Sequence, residues 1–270
     1  MSRRRGDLLS SCILLLAGLL GLWAFVRPTL RDAWQEPGTA ESGSRTLAQS
    51  ADAPLLLVVL LGLCLLVIVA NLETRRMDAR LVAVLGVLVG VNACLRLVSG
   101  PLGSSAFFVL PIVCAYVLGA DFGFLLATLA MLTSALLTGG VGPWLPFQMF
   151  GAGWCAMLSG WLPRLRPSRA KWLLALWGAV AGFLFGAIIN LWFWPFLQPT
   201  DLGRGWEPGL ALQQILARYT VFYLATSSWW DAGRALGNAV LLFALSEPLL
   251  RLLERFQRRF RFEVDRDGRR

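Results

Sequence analysis

The chain has 270 residues, 57% of them hydrophobic and only 15% charged, with a mean hydropathy of +0.63, which excludes an ordinary soluble domain and indicates an integral membrane protein. The net charge of +9 is not spread as a nucleic-acid-binding surface would be: 18 of the 25 Lys and Arg fall in four clusters between apolar runs, Arg3 to Arg5, Arg75 to Arg80, Arg164 to Lys171 and Arg251 to Arg270. The positive-inside rule sets all four on the cytoplasmic side, so the expected partner is the lipid bilayer, with no nucleic acid.

In chain order, Leu8 to Val26 follows three arginines and reads as a retained helix rather than a cleaved signal peptide, because Arg27 and Pro28 offer no small-x-small cleavage site. Arg27 to Pro54 is polar and reads as an external loop, and Leu55 to Ala70 returns the chain to the cytoplasm. Six more spans follow: Leu81 to Val98, Ala106 to Leu118, Phe122 to Thr138, Phe147 to Leu162, Trp172 to Trp194 and Leu236 to Leu253. Gly209 to Trp230 is long enough to cross, but a ninth crossing would export the arginine-rich tail. It therefore reads as an interfacial or re-entrant external helix. The expected fold is an all-α membrane protein of eight spans with both termini inside. An N-terminal hairpin (1–72) precedes a six-helix core (81–256), and a basic cytoplasmic tail (257–270) closes the chain.

The five cysteines all lie in apolar runs without a CxxC pair and read as packing residues, so no zinc site or disulfide framework is expected. Histidine is absent. No P-loop, HExxH or nucleophile-base set is present, so neither an enzyme nor an ATPase is expected, and no cofactor or metal is implied. Asp121 and Glu247 are the acids nearest to span interiors, and Glu247 stands four residues before Arg251, the spacing of a helical ion pair.

Two small-residue ladders, Gly86-x-x-x-Gly90 continued by Ala93 and Cys94, and Gly178-x-x-x-Gly182-x-x-x-Gly186, fit close helix packing, within the chain or against another subunit. The stretch SALLTGGVGPWLPFQMFGAGW breaks the apolar pattern with glycines, prolines and tryptophans. Irregular backbone at membrane depth survives only inside protein or lining a cavity. The topology sends Asn92, Arg96, Trp144, Gln148, Asn190, Trp192 and Trp194 towards one outer leaflet. That convergence suits a pocket for a planar or amphipathic small molecule, although tryptophans also mark the headgroup region of any membrane protein.

From Leu81 to Phe256 the chain resembles the substrate-binding S components of energy-coupling factor (ECF) transporters. The resemblance rests on VLVGVNACLRLVSGPLG, on FFVLPIVCAYVLGADFGFLLATLAMLTSALLTGGVGPWLPFQMFGAGW and on GAVAGFLFGAIINLWFWPF. It implies a multi-pass subunit of a prokaryotic plasma membrane that captures a vitamin-like compound outside, with the cobalamin type favoured. A transmembrane T component and two ATPase subunits would power release. The implied substrate-binding residues are Asn92, Arg96, Trp144, Gln148, Trp154, Asn190 and Trp194. The implied gating loop contains Gly139, Gly140, Gly142, Pro143 and Pro146, and the implied docking face Ala83, Gly86 and Gly90. The N-terminal hairpin and the segment 197–231 depart from the six-helix pattern. The competing reading is a non-transport scaffold whose ladders only pack helices.

Overall fold

The structure is a computed structural model, and it describes residues 42–73, 77–98, 100–194 and 211–267. The expected first helix, Leu8 to Val26, lies outside these residues. Among them all regular structure is helical: α1 Ser42–Glu73, α2 Ala79–Leu97, two 3₁₀ turns at Pro101–Gly103 and Ala106–Phe108, α3 Val109–Leu118, α4 Ala120–Thr138, α5 Leu145–Ser159, α6 Pro167–Phe193, α7 Leu212–Thr226 and α8 Ser228–Asp267. Five of these hold stretches long and apolar enough to cross a membrane: Pro54–Glu73, Ala79–Leu97, Ala120–Thr138, Pro167–Asn190 and Ser228–Gln257. The protein is thus an all-α membrane protein.

One expected boundary is corrected. α1 begins at Ser42, inside the stretch assigned to an external loop, and carries Pro54 within it. Beyond Gly43 that stretch reads SRTLAQSADA, with no glycine or proline until Pro54 and with good helix formers at Arg45, Leu47, Ala48 and Gln49. Its polar composition is compatible with a helical backbone.

Two expected core spans are corrected. Ala106 to Leu118 and Phe147 to Leu162 form helices of only 10 and 15 residues, α3 and α5, short of the roughly 20 that a crossing needs. Helices form at the other four core positions, with ends set by local chemistry. Asp78 caps α2, its Oδ1 accepting the Leu81 N–H at 2.7 Å. Pro146 and Pro167 stand in the first turns of α5 and α6, where a missing N–H costs nothing. A single residue, Gly119, with φ +118° and ψ 161°, separates α3 from α4, in a region of backbone space open essentially to glycine alone. α3 therefore stops before Asp121, which falls in the first turn of α4 and accepts from Asn71 of α1 at 3.3 Å.

α3 and α5 are the innermost elements, buried along most of their length. α2 and α8 turn much of their surface outward. Lipid is as apolar as leucine, so close packing and interhelical hydrogen bonds must hold such a bundle. Small residues permit the approach: a Cβ at Gly153 of α5 would lie 2.7 Å from the Phe124 ring of α4, and one at Gly160 would lie 2.7 Å from the Ala120 backbone. Trp177 of α6 donates from Nε1 to the Cys155 carbonyl at 3.1 Å, and Ser159 donates to the Ile112 carbonyl at 3.0 Å. Cys64, Cys114 and Cys155 pack in the interior as expected, whereas Cys94 is exposed on α2.

Long-range contacts define the two ends. At one end Tyr116 donates from its hydroxyl to the Pro163 carbonyl at 2.8 Å and accepts the Leu165 N–H at 2.6 Å, while Gln257 donates to the Val117 carbonyl at 2.9 Å. Arg164 lies over the Tyr116 ring there, 4.6 Å from its centroid, and burial lowers its pKa from the ordinary value. This end gathers Arg164 to Lys171 with the basic half of α8, as the charge pattern requires. At the other end lie the α4–α5 connection, the 3₁₀ turns and α7. α7 packs on the end of α6: the Tyr219 hydroxyl donates to the Ala187 carbonyl at 2.5 Å, and Trp194, Phe222, Tyr219 and Ile215 form a small cluster. Burial pushes the Tyr219 phenol pKa upward, which keeps it a donor. Tyr219→Phe is expected to lower stability by about 1 kcal/mol, measured as a downward shift in thermal unfolding of the detergent-solubilised protein.

Candidate functional site

Asn92 and Arg96 are four residues apart on α2 and so share one helix face. That face packs against α4. Arg96 donates from Nη1 to the Ser134 hydroxyl of α4 at 2.6 Å and from Nη2 to the Gln148 Oε1 of α5 at 3.4 Å. The Ser134 hydroxyl donates its own hydrogen bond to the Met131 carbonyl at 2.9 Å, which leaves its oxygen free to accept from the guanidinium. Three helices thus meet at one cationic, hydrogen-bonding point in an otherwise apolar interior.

Asn92 lies one turn deeper. It is 0% exposed, and neither Nδ2 nor Oδ1 has a hydrogen-bond partner. Buried amides are nearly always satisfied, and an unmet one costs about 1 to 3 kcal/mol. A buried donor and acceptor left free beside an arginine are what a polar ligand group would satisfy. Asn92 and Ser134 have no solvent contact, while Arg96 and Gln148 are half-buried.

The glycine-rich bend forms directly above α5. Gly139 ends α4 in the left-handed conformation, φ +65°, and the Gly140 N–H returns to the Ala135 carbonyl at 2.9 Å, a common helix stop. Gly142 follows, with the Trp144 ring lying against it so closely that a Cβ there would come within 2.4 Å of the indole. The Leu145 N–H bonds the Gly142 carbonyl at 3.0 Å. The bend therefore includes Gly139, Gly140, Gly142 and Pro143, while Pro146, expected in the loop, is buried in the first turn of α5.

The other expected pocket residues divide. Trp144 is half-exposed at the head of α5, and Gln148, a turn below, joins Arg96. Trp154 is six residues beyond Gln148, about 120° around the helix. It packs on Phe150 at 5.7 Å and with Phe147 beside Leu56, Ile188 and Ile189. Trp194 is buried against Tyr219 and Phe222 in the α6–α7 cluster. Asn190 is half-buried on the last turns of α6, its carbonyl accepting the Trp194 N–H. The side chain of Trp192 lies outside the described residues. The structure thus brings Arg96 and Gln148 together, leaves Asn92 one turn from Arg96 on the same helix face, and assigns Trp154 and Trp194 to packing clusters of their own.

The two ladders also separate. A Cβ at Gly182 would lie 2.7 Å from the Ala235 backbone, one at Gly178 would strike Leu242, and one at Gly186 would overlap the Asp231 carboxylate. The α6 ladder is therefore filled by α8, with Asn238 donating to the Gly178 carbonyl at 3.1 Å across the seam. On α2, Ala83, Gly86, Gly90 and Cys94 are exposed, and nothing lies within 4 Å of a Cβ at Gly86 or Gly90.

Two polar groups escape the sequence reading. Ser134 gave no signal, because hydroxyls in apolar helices usually bond back to their own backbone, as Thr133 and Thr138 do. Asp231 is 2% exposed and ion-paired with Arg234, whose Nη1 also reaches the Gly182 carbonyl at 3.3 Å. Counting residue 231 as part of an external segment hid it, although the i,i+3 spacing of opposite charges in an apolar surround was visible. No family model, curated protein or solved structure matches the chain.

Proposed function

We propose that this chain is the substrate-capturing membrane subunit of an ECF-type ABC transporter, binding a vitamin-like compound from outside for uptake driven by partner subunits. The observation that carries the reading is the polar cluster of Arg96, Ser134 and Gln148 beside the Gly139–Trp144 bend, with the unsatisfied buried amide of Asn92 one turn from Arg96. A ligand with carboxylate or amide groups would compete for Arg96 and complete Asn92. Three neutral or cationic donors and the amide acceptors suit such a group better than a hydrocarbon.

The open small-residue face of α2 supports a second half of the same reading. Lipid gains little from a flat glycine stripe, whereas a neighbouring transmembrane helix can approach it closely. A T component is the proposed neighbour at Ala83, Gly86 and Gly90, with two ATPases attached to it.

The deciding experiment is mass spectrometry of small molecules extracted from the gently purified full-length protein, beside affinity capture of its partners. A compound retained by the wild type and lost from a folded Gln148→Leu variant is the expected result. Purification with no retained compound and no associated T component would overturn the reading and leave the scaffold alternative.

A further inference from the structure

At the basic end of the bundle, one face of α8 and Lys171 of α6 line an open groove of about 570 Å³. Lys171 of α6 and Glu247, Arg251 and Arg255 of α8 supply its charges, and Phe243 and Pro248 part of its wall. Glu247 is shared, its Oε2 lying 3.1 Å from Lys171 Nζ and its Oε1 meeting the Arg251 guanidinium. Arg255 has no ion pair among the described residues. One carboxylate therefore faces three cations, an excess of two positive charges.

The surround is that of a membrane interface. Trp172, 65% exposed, meets the Phe243 ring edge-on at 4.5 Å, and Lys171 Nζ stands 5.2 Å from the same ring. Leu252, also exposed, continues the apolar surface along α8. Cations to hold a phosphate and an apolar flank for acyl chains thus occur together. They do so at the end that the positive-inside rule assigns to the cytoplasm.

We infer that this groove is a binding site for an acidic phospholipid of the inner leaflet, its phosphate held by Arg251 and Arg255 and its chains laid along Phe243, Trp172 and Leu252. Basic pockets between transmembrane helices on the cytoplasmic side recognise such headgroups. A soluble anion would have no use for the exposed aromatic flank.

The test is native mass spectrometry of the delipidated full-length protein titrated separately with phosphatidylglycerol and phosphatidylcholine. Phosphatidylglycerol adducts are expected to be retained selectively, and Arg251→Gln and Arg255→Gln each to weaken them about fivefold, the effect of one surface charge near an anionic headgroup. Glu247→Gln removes the opposing charge and is expected to tighten binding, a gain that a misfolded variant could not produce. Equal retention of the two lipids, no response to these three substitutions, or displacement of the lipid by millimolar inorganic phosphate would overturn the inference.

Discussion

Asn92→Leu is expected to make the protein more stable and less able to hold its ligand. Leucine keeps the branch at Cγ and removes two buried polar atoms that have no hydrogen-bond partner. Relief of an unmet buried amide is expected to contribute about 1 to 3 kcal/mol, offset in part by the larger methyl groups. The same change removes one donor and one acceptor from the ligand, and with each hydrogen bond near 1.4 kcal/mol the loss of affinity is about a hundredfold. Thermal unfolding in detergent and the amount of co-purified compound measure the two effects on one sample. A variant that is destabilised and still carries the compound would show that Asn92 is ordinary interior packing. Opposite movement of stability and binding is the signature of a group kept for function.

The glycine ladders provide the other large contrast. Gly182→Leu must force α6 away from the Ala235 backbone, which cannot yield as a flexible side chain would. A loss of about 3 kcal/mol or more is expected, seen as aggregation or a sharply lower unfolding temperature. Gly86→Leu adds the same side chain where nothing lies within 4 Å, so stability should stay within about 0.5 kcal/mol of wild type. If α2 meets a T component, that folded variant will no longer capture it. Capture at the wild-type level would remove the docking assignment, while the proposed ligand site would stand on its own evidence.

Much of this architecture was legible because the bilayer imposes simple demands on a chain. Apolar length marked the core helices, and Gly119, Gly139, Pro146 and Pro167 fell at or beside their ends for backbone reasons that require no tertiary knowledge. Arg96 and Gln148 could be placed at one depth from topology alone, and they meet. What periodicity could not give was azimuth. An apolar helix without a polar face gives no sign of which way each residue turns, so Trp154 and Trp194, though near the expected site in sequence, pack against other partners. The two ladders likewise look alike as sequence. Only the position of α8 shows that one is occupied. The helical stretch 42–53 was hidden for a different reason: polarity reports where a segment lies, and its residues are compatible with a helix in either place.

The shortness of α3 carries a further consequence for solvation. The segment from Gly100 to Phe108 feeds α3 and packs on α8 at Gly233 and Gly237. Gly237 is nine residues into α8, about 14 Å along its axis. Backbone outside the α-helical ladder, in 3₁₀ turns and their links, therefore sits within the thickness that the neighbouring helices span. Part of it is internally bonded, the Gly100 N–H to the Ser104 carbonyl at 2.7 Å and the Ser104 N–H to the Pro101 carbonyl at 3.1 Å. Peptide dipoles freed from a helical ladder act more strongly there than they would in water, because the medium around them is so weakly polarisable. A chain with few polar side chains at depth can in this way present hydrogen-bonding capacity through its main chain, without the cost of inserting another charged residue.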